Sequence, residues 1–480
     1  MHLPRPTRPL ATAAVALLVG LALLSARDGP AARAASVRPT ELLAPAASAS
    51  HLALQPRADL DAFTLVAALT RMHLEARTTG GPADPVQVRV PTDQDPRDLA
   101  RRIATTGLAA SVEEDTLVYA SAVPSAPRYA TGQRRVFEAL RLPAVWSPEG
   151  GTGIVVAVVD SGVDWDHPAL VSRIAVNLAD ADFDGVDDDG SGCADDIAGC
   201  SFVSPETADP SCGPLFTAPQ WRANDDEGHG TFVAGLIAAG GPGAQIAGIA
   251  PGARILPVKV LDCTGTGRIA EAAAGVRYAA RMGAKVINLS FGTRTDSPAL
   301  RAAIEDAQQR GAIIVASAGN DGRRGVTFPA VYPGVLSVAA SGVIGSGTID
   351  YTRVAPFADF GSGVGLLAPG IDLLSTLPAK RCGLDGWICE DGPYARGDGS
   401  SFATPIVAAA VALVWSRHPD LSPAFIVGIV GAAHRPAPPG EAGLLDIALA
   451  VDARLFEVGV PGTSRAGDAT FGRPGPGTGE

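Results

Sequence analysis

Five short runs rich in Val and Ile recur along the middle of the chain: Ile154 to Val159, Ile255 to Val260, Lys285 to Leu289, Ala312 to Ala316 and Val335 to Ala339. Glycines and helical stretches separate them. Runs that are apolar throughout, rather than at alternate positions, fit strands buried on both faces. Their alternation with helices predicts an α/β fold of three layers around a mostly parallel central sheet. In such sheets ligands bind beyond the carboxyl ends of the strands, so residues just after each run are the first candidates for chemistry. The 480-residue chain carries 56 Gly and 39 Pro, in keeping with many tight turns. Its net charge of −12, with no block of Lys or Arg, argues against nucleic acid or an anionic membrane as partner.

The flanking segments read differently. Arg5 and Arg8 precede the apolar run Leu10 to Leu24, followed by Ala31-Ala32-Arg33-Ala34-Ala35, which predicts an export signal over 1–34 cleaved after Ala34 and a protein outside the cell. The apolar run Ala403 to Trp415 is too short to span a bilayer and is expected to be a buried helix, leaving no membrane span once the signal is removed. Residues 35–125 read as a small α+β unit, with a strand at Val86 to Val90, a helix at Pro96 to Ile103 and a hairpin at Val112 to Ala120. Within the main domain, 126–456, the acidic, Cys-containing stretch 177–226 lacks periodicity and is expected to be a surface insertion; the Gly/Pro-rich tail 457–480 is expected to be disordered. No Cys-x-x-Cys occurs, so the six cysteines point to disulfides. Pairing Cys193 with Cys200 and Cys382 with Cys389 is the most local arrangement and leaves Cys212 and Cys263, although sequence alone keeps other connectivities open.

Three short stretches carry chemistry. Asp160 follows the first strand and opens Asp160-Ser161-Gly162; His229 sits in Gly228-His229-Gly230-Thr231 at a helix entry; Ser401 lies in Gly399-Ser400-Ser401-Phe402-Ala403-Thr404-Pro405 before an apolar helix. Each alone has a bland explanation, as a turn, a surface histidine or a helix cap. Together, at sheet-top positions and in the order Asp, His, Ser, they resemble the subtilisin-like serine proteases over roughly Gln133 to Asp452. The resemblance implies a secreted serine endopeptidase that cuts peptide or protein substrates and needs no cofactor for its chemistry. His229 would take the Ser401 proton and Asp160 would orient the imidazole. Asn320, in Ala318-Gly319-Asn320-Asp321, matches the family's oxyanion donor. Gly265-Thr266-Gly267 matches a strand that pairs with the substrate backbone, and Ser290-Phe291-Gly292 matches the opposite wall of the specificity pocket.

There are departures. Phe232 stands where the family commonly has His, Ser400 where it has Thr, and Phe402 where Met often follows the nucleophile. The resemblance also implies that 35–125 is a propeptide, a partner to its own enzyme, released by self-cleavage between Val118 and Gln133, and that the enzyme acts as a monomer. A stretch common among relatives has Tyr and Trp where Cys193 and Cys200 stand, which supports their pairing. Asp180, Asp182, Asp184 and Asp188 have the spacing of a calcium loop, but Ser191 occupies the position where a glutamate would close it, so a solvated acidic loop competes with a structural calcium site. The reading that competes for the whole chain is a silent peptide-binding pseudoprotease, whose mark would be loss of a triad member; all three are present. A hydrolase of another fold would show Gly-x-Ser-x-Gly, which the chain around Ser401 lacks.

Overall fold

A computed structural model describes residues 51–78, 86–91, 93–114, 124–204, 208–212, 223–345, 347–384, 386–436 and 441–452. The expected signal, residues 115–120 of the expected hairpin and the tail lie outside these. The chain divides into two compact units, Met1–Tyr119 and Ala120–Glu480.

The first unit comprises β1 (His51–Pro56), α1 (Ala62–Arg71), β2 (Ala76–Thr78), β3 (Val86–Arg89), α2 (Pro96–Thr105) and β4 (Ala109–Glu114). Its antiparallel sheet has the order β2-β3-β1-β4. Alternate residues of β1 and β3, Leu52 and Leu54, Val86 and Val88, point to one face and bury against Leu65 and Leu69 of α1 and Leu99 and Ile103 of α2. Asp95 caps α2 by accepting the Arg97 N–H, and Pro96 occupies the first turn, where its missing donor costs nothing. The expected strand and helix are present, and the described part of the expected hairpin, residues 112–114, is the end of β4. β4 pairs with β1, Leu54 opposite Val112.

The second unit continues with α3 (Arg134–Ala139), β5 (Val155–Asp160), β6 (Cys200–Ser201), α4 (His229–Ala238), β7 (Arg254–Lys259), α5 (Ile269–Arg281), β8 (Val286–Leu289), α6 (Pro298–Gln309), β9 (Ile313–Ser317) and β10 (Leu336–Gly345). It ends with β11 (Thr348–Val354), β12 (Leu366–Pro369), β13 (Leu373–Thr376), β14 (Tyr394–Gly397), α7 (Ser400–Arg417), α8 (Pro423–Ala432) and α9 (Ile447–Val451). The central sheet runs β11-β10-β9-β8-β5-β7-β6, with β12 also on β10; every pairing is parallel except β10 with β11. The strands alternate their burial between two cores. Val156 and Val158 of β5 face α4 and α7, while Ala157 and Val159 face α5 and α6. This is the three-layer α/β domain, and the continuous apolar runs follow from burial on both faces. By length and composition α7 is apolar enough to cross a membrane, yet 83% of it is buried inside this unit, between the sheet and α4, which makes it the central core helix.

The stretch 177–226 is more than a surface insertion, since it supplies the edge strand β6, paired with β7. All six cysteines are bonded, as Cys193–Cys200, Cys212–Cys263 and Cys382–Cys389.

Candidate active site

Asp160 is the last residue of β5 and is fully buried. Its Oδ1 accepts a hydrogen bond from His229 Nδ1 at 2.8 Å and another from the Ser161 N–H at 2.7 Å. The bond fixes the proton of a neutral imidazole on Nδ1 and leaves Nε2 as a base. His229 is the first residue of α4, and Gly228 before it adopts a left-handed φ of 119°. A Cβ on Gly230 would come within 2.0 Å of the Gly162 carbonyl, so the His loop and the Asp loop touch only because both carry glycine there.

Sequence reasoning missed the residue that organises this loop. Asp225 is fully buried and accepts from the Glu227, Gly228 and Thr231 N–H groups and from the Ser161 and Thr231 hydroxyls, at 2.6–3.0 Å. Ser161 Oγ in turn accepts the Gly230 N–H at 2.9 Å. The buried ammonium of Lys259 donates to the Ser161 and Leu261 carbonyls and to Asp226 at 2.7–2.8 Å, tying the end of β7 to both loops. The Asp four positions before His229 was the available signal.

Burial alone would lower the pKa of His229. The hydrogen-bonded Asp160 carboxylate, with Glu227 and Asp225 behind it, overcomes this and raises it to about 9. Glu227 lies beside the ring, its Oε2 accepting the His229 N–H at 2.6 Å, and burial pushes its own carboxyl up.

Ser401 is the second residue of α7, where N–H groups and the helix dipole face outward. Its neighbour Ser400 anchors the turn: Ser400 N–H donates to Asn320 Oδ1 at 2.8 Å, and Ser400 Oγ donates to the Gly319 carbonyl at 2.9 Å and accepts the Ala340 N–H at 3.1 Å. With Oδ1 engaged, the Asn320 amide nitrogen faces the nucleophile. A Cβ on Gly399 would stand 3.0 Å from Ser401 Oγ and 3.7 Å from Asn320 Nδ2, so the two atoms border one small volume. Phe402 stacks against His229, with centroids 5.0 Å apart, which brings the imidazole to the same turn. The hydrogen bonds of this site do not include one from Ser401 Oγ to the imidazole; such contacts tighten when substrate binds.

Of the expected substrate residues, Gly265-Thr266-Gly267 does not form a strand. It is an exposed segment tied by Asp262, whose Oδ1 accepts the Thr264 and Thr266 N–H groups at 2.9 and 3.3 Å. Gly267 packs so closely on Val260 that a Cβ would lie 2.1 Å from its carbonyl. Ser290 is buried, and its Oγ donates to the Ser401 carbonyl at 2.6 Å, so its hydroxyl supports the nucleophile turn. Phe291 is half-buried, and Gly292 packs on Thr327, whose Oγ1 would lie 2.4 Å from a Cβ added there.

The four aspartates expected to hold calcium divide. Asp182, Asp184 and Asp188 form an exposed group, whereas Asp180 joins Asp182 and Asp195, with ligand oxygens within 4.8 Å of one another. Asp180 is fully buried; its Oδ2 accepts the Asp195 N–H at 2.9 Å and its Oδ1 has no partner. Burial raises its pKa. An orphaned buried carboxylate oxygen facing two more carboxylates fits a hard divalent cation. Asp195 escaped the sequence reading because the chain loops back to bring it there.

The subtilase family model matches residues 151–433, which contain every residue described above. The chain belongs to the subtilase family. It is 35% identical over 318 residues to Subtilisin NAT from Bacillus subtilis subsp. natto, covering 65% of this chain and 66% of that relative. It is 34% identical over 286 residues to a subtilisin from Bacillus pumilus, covering 83% of that protein. A protease from Pseudoalteromonas arctica shares the fold, with a TM-score of 0.55 and 26% identity over 69% of this chain and 99% of its own.

Proposed function

We propose that this subtilase is a secreted serine endopeptidase in which Ser401 is the nucleophile, His229 the general base and then acid, and Asp160 the residue that orients the ring. The juxtaposition of the Asp160–His229 bond, Ser401 Oγ and Asn320 Nδ2 carries the reading. As Ser401 Oγ attacks a peptide carbonyl, its proton passes to His229 Nε2, and the charge growing on the carbonyl oxygen is met by Asn320 Nδ2 and the N–H of the α7 terminus. His229 then protonates the departing amine, and water repeats the sequence to release the acid. The alkaline-shifted imidazole implies an enzyme whose activity rises as pH rises, since only the neutral ring accepts the proton. A divalent cation, calcium by its oxygen-only donors, would be held by Asp180, Asp182 and Asp195 and would serve structure, away from the chemistry.

Residues 35–125 are proposed to act as a propeptide, cut off between Val118 and Gln133. The test compares the N-terminal sequence and intact mass of the exported protein with those of Ser401→Ala, a change that costs about a million-fold in turnover in this mechanism. A native chain starting within that window, beside a variant that keeps the preceding unit, supports nucleophile and propeptide together. Identical maturation of both argues against self-cleavage.

A further inference from the structure

The imidazole of His229 is the first ring of an aromatic series. Phe402 lies against it, Phe232 stacks on Phe402 with centroids 4.2 Å apart, and Trp387 adjoins both at 5.5 and 6.3 Å. Trp387 also lies over Gly228, where a Cβ would stand 3.1 Å from its Nε1. Neighbouring residues of the His loop therefore border different things: Glu227 borders Gly265, in the segment expected to pair with the substrate backbone, and Gly228 borders Trp387.

Trp387 belongs to a tight loop between β13 and β14 that is closed by the Cys382–Cys389 bond. Inside it the Gly383 N–H donates to the Trp387 carbonyl and the Trp387 N–H to the Leu384 carbonyl, both at 2.9 Å. The loop then presents Leu384 and Ile388 outward, 49% and 77% exposed. Aliphatic side chains held out by a covalently closed loop add nothing to the core, and apolar surface of this kind marks a place where something binds.

We infer that the Cys382–Cys389 loop forms the subsite for the leaving half of the substrate, in which Trp387, Leu384 and Ile388 receive an apolar side chain directly after the cleaved bond. The inference rests on Ser401 being the nucleophile. It follows from continuity: the loop's tryptophan packs on the residue after Ser401 and on the residue before His229, the two groups between which the departing amine must pass.

Acyl transfer reads this subsite directly. The mature enzyme is acylated with a peptide methyl ester in the presence of equal leucinamide and glycinamide. The bound amine attacks the acyl ester; the C–N bond forms, the C–Oγ bond breaks, and the amine proton passes through His229 to Ser401 Oγ. Because both amides compete for an acyl-enzyme already formed, the ratio of the two products is independent of how fast acylation occurs. The native enzyme is expected to favour leucinamide at least tenfold, and the surface double variant Leu384→Ser/Ile388→Ser to lose about five- to tenfold of that preference. An unchanged ratio in the variant, or no preference in the native enzyme, overturns the inference and leaves the nucleophile assignment standing. An ester that is not turned over at all overturns both.

Discussion

Glu227 offers a way to move the working pH of the enzyme without removing a reacting group. Its carboxylate is one of the charges that hold the His229 pKa near 9, and its Oε2 accepts the His229 N–H, an acceptor that glutamine retains. Glu227→Gln therefore removes charge while keeping the bond. For two unit charges about 7 Å apart, Coulomb's law gives about 2.4 kcal/mol at an effective dielectric of ~20 and about 0.6 kcal/mol at ~80. The His229 side chain keeps 20% of its surface exposed, so the effect belongs in the lower part of that range, about 0.7–1.4 kcal/mol, or roughly half to one pKa unit. The sign follows from the charge: losing a negative neighbour destabilises the imidazolium, lowers its pKa and moves the rising limb of activity to lower pH. The assay is kcat/KM for a peptide anilide against pH at fixed ionic strength, which reports the free enzyme. A limb that stays in place, or moves upward, would refute the claim that Glu227 sets the base.

Other outcomes follow from the same geometry. Asn320→Ala, which removes the side-chain donor beside Ser401 Oγ and frees the Ser400 N–H, is expected to lower kcat by about 10²–10³ with little change in KM; a loss confined to KM would place Asn320 in binding. Phe402 replaces an oxidisable thioether at the nucleophile, so mild peroxide is expected to leave activity largely intact, and activity halved under those conditions would count against this. Calcium at about 100 times its dissociation constant should stabilise the mature protein by about 2.7 kcal/mol, visible as a rise in Tm, and Asp180→Asn should abolish most of that rise; a Tm indifferent to calcium and chelator would leave the acidic loop merely solvated.

The sequence made the central sheet legible because strands buried on both faces are written as unbroken apolar runs, and it marked Asp160, His229 and Ser401 as candidates because their order resembles the family pattern and their glycines permit close approach. Legibility faded where residues meet through distant chain segments. β1 and β4 find each other across the whole first unit, and Asp195 returns to Asp180 through a loop with no periodicity. Asp225 was hidden by chemistry of another kind: a carboxylate that accepts five hydrogen bonds from its surroundings looks, in sequence, like one more charge in an acidic stretch. The bond from the Ser290 hydroxyl to the nucleophile turn was equally hidden, since where a hydroxyl points depends on packing that only coordinates reveal.

The measurement closest to the central claim is covalent. The purified protein is treated with a fluorophosphonate, which reacts with a serine only when a neighbouring base activates it. Its peptides are then mapped by mass. A single adduct on Ser401, absent after denaturation before labelling and lost in His229→Ala, is the predicted result. An unlabelled Ser401 in the folded protein, or label on another serine, would contradict the assignment of nucleophile and base.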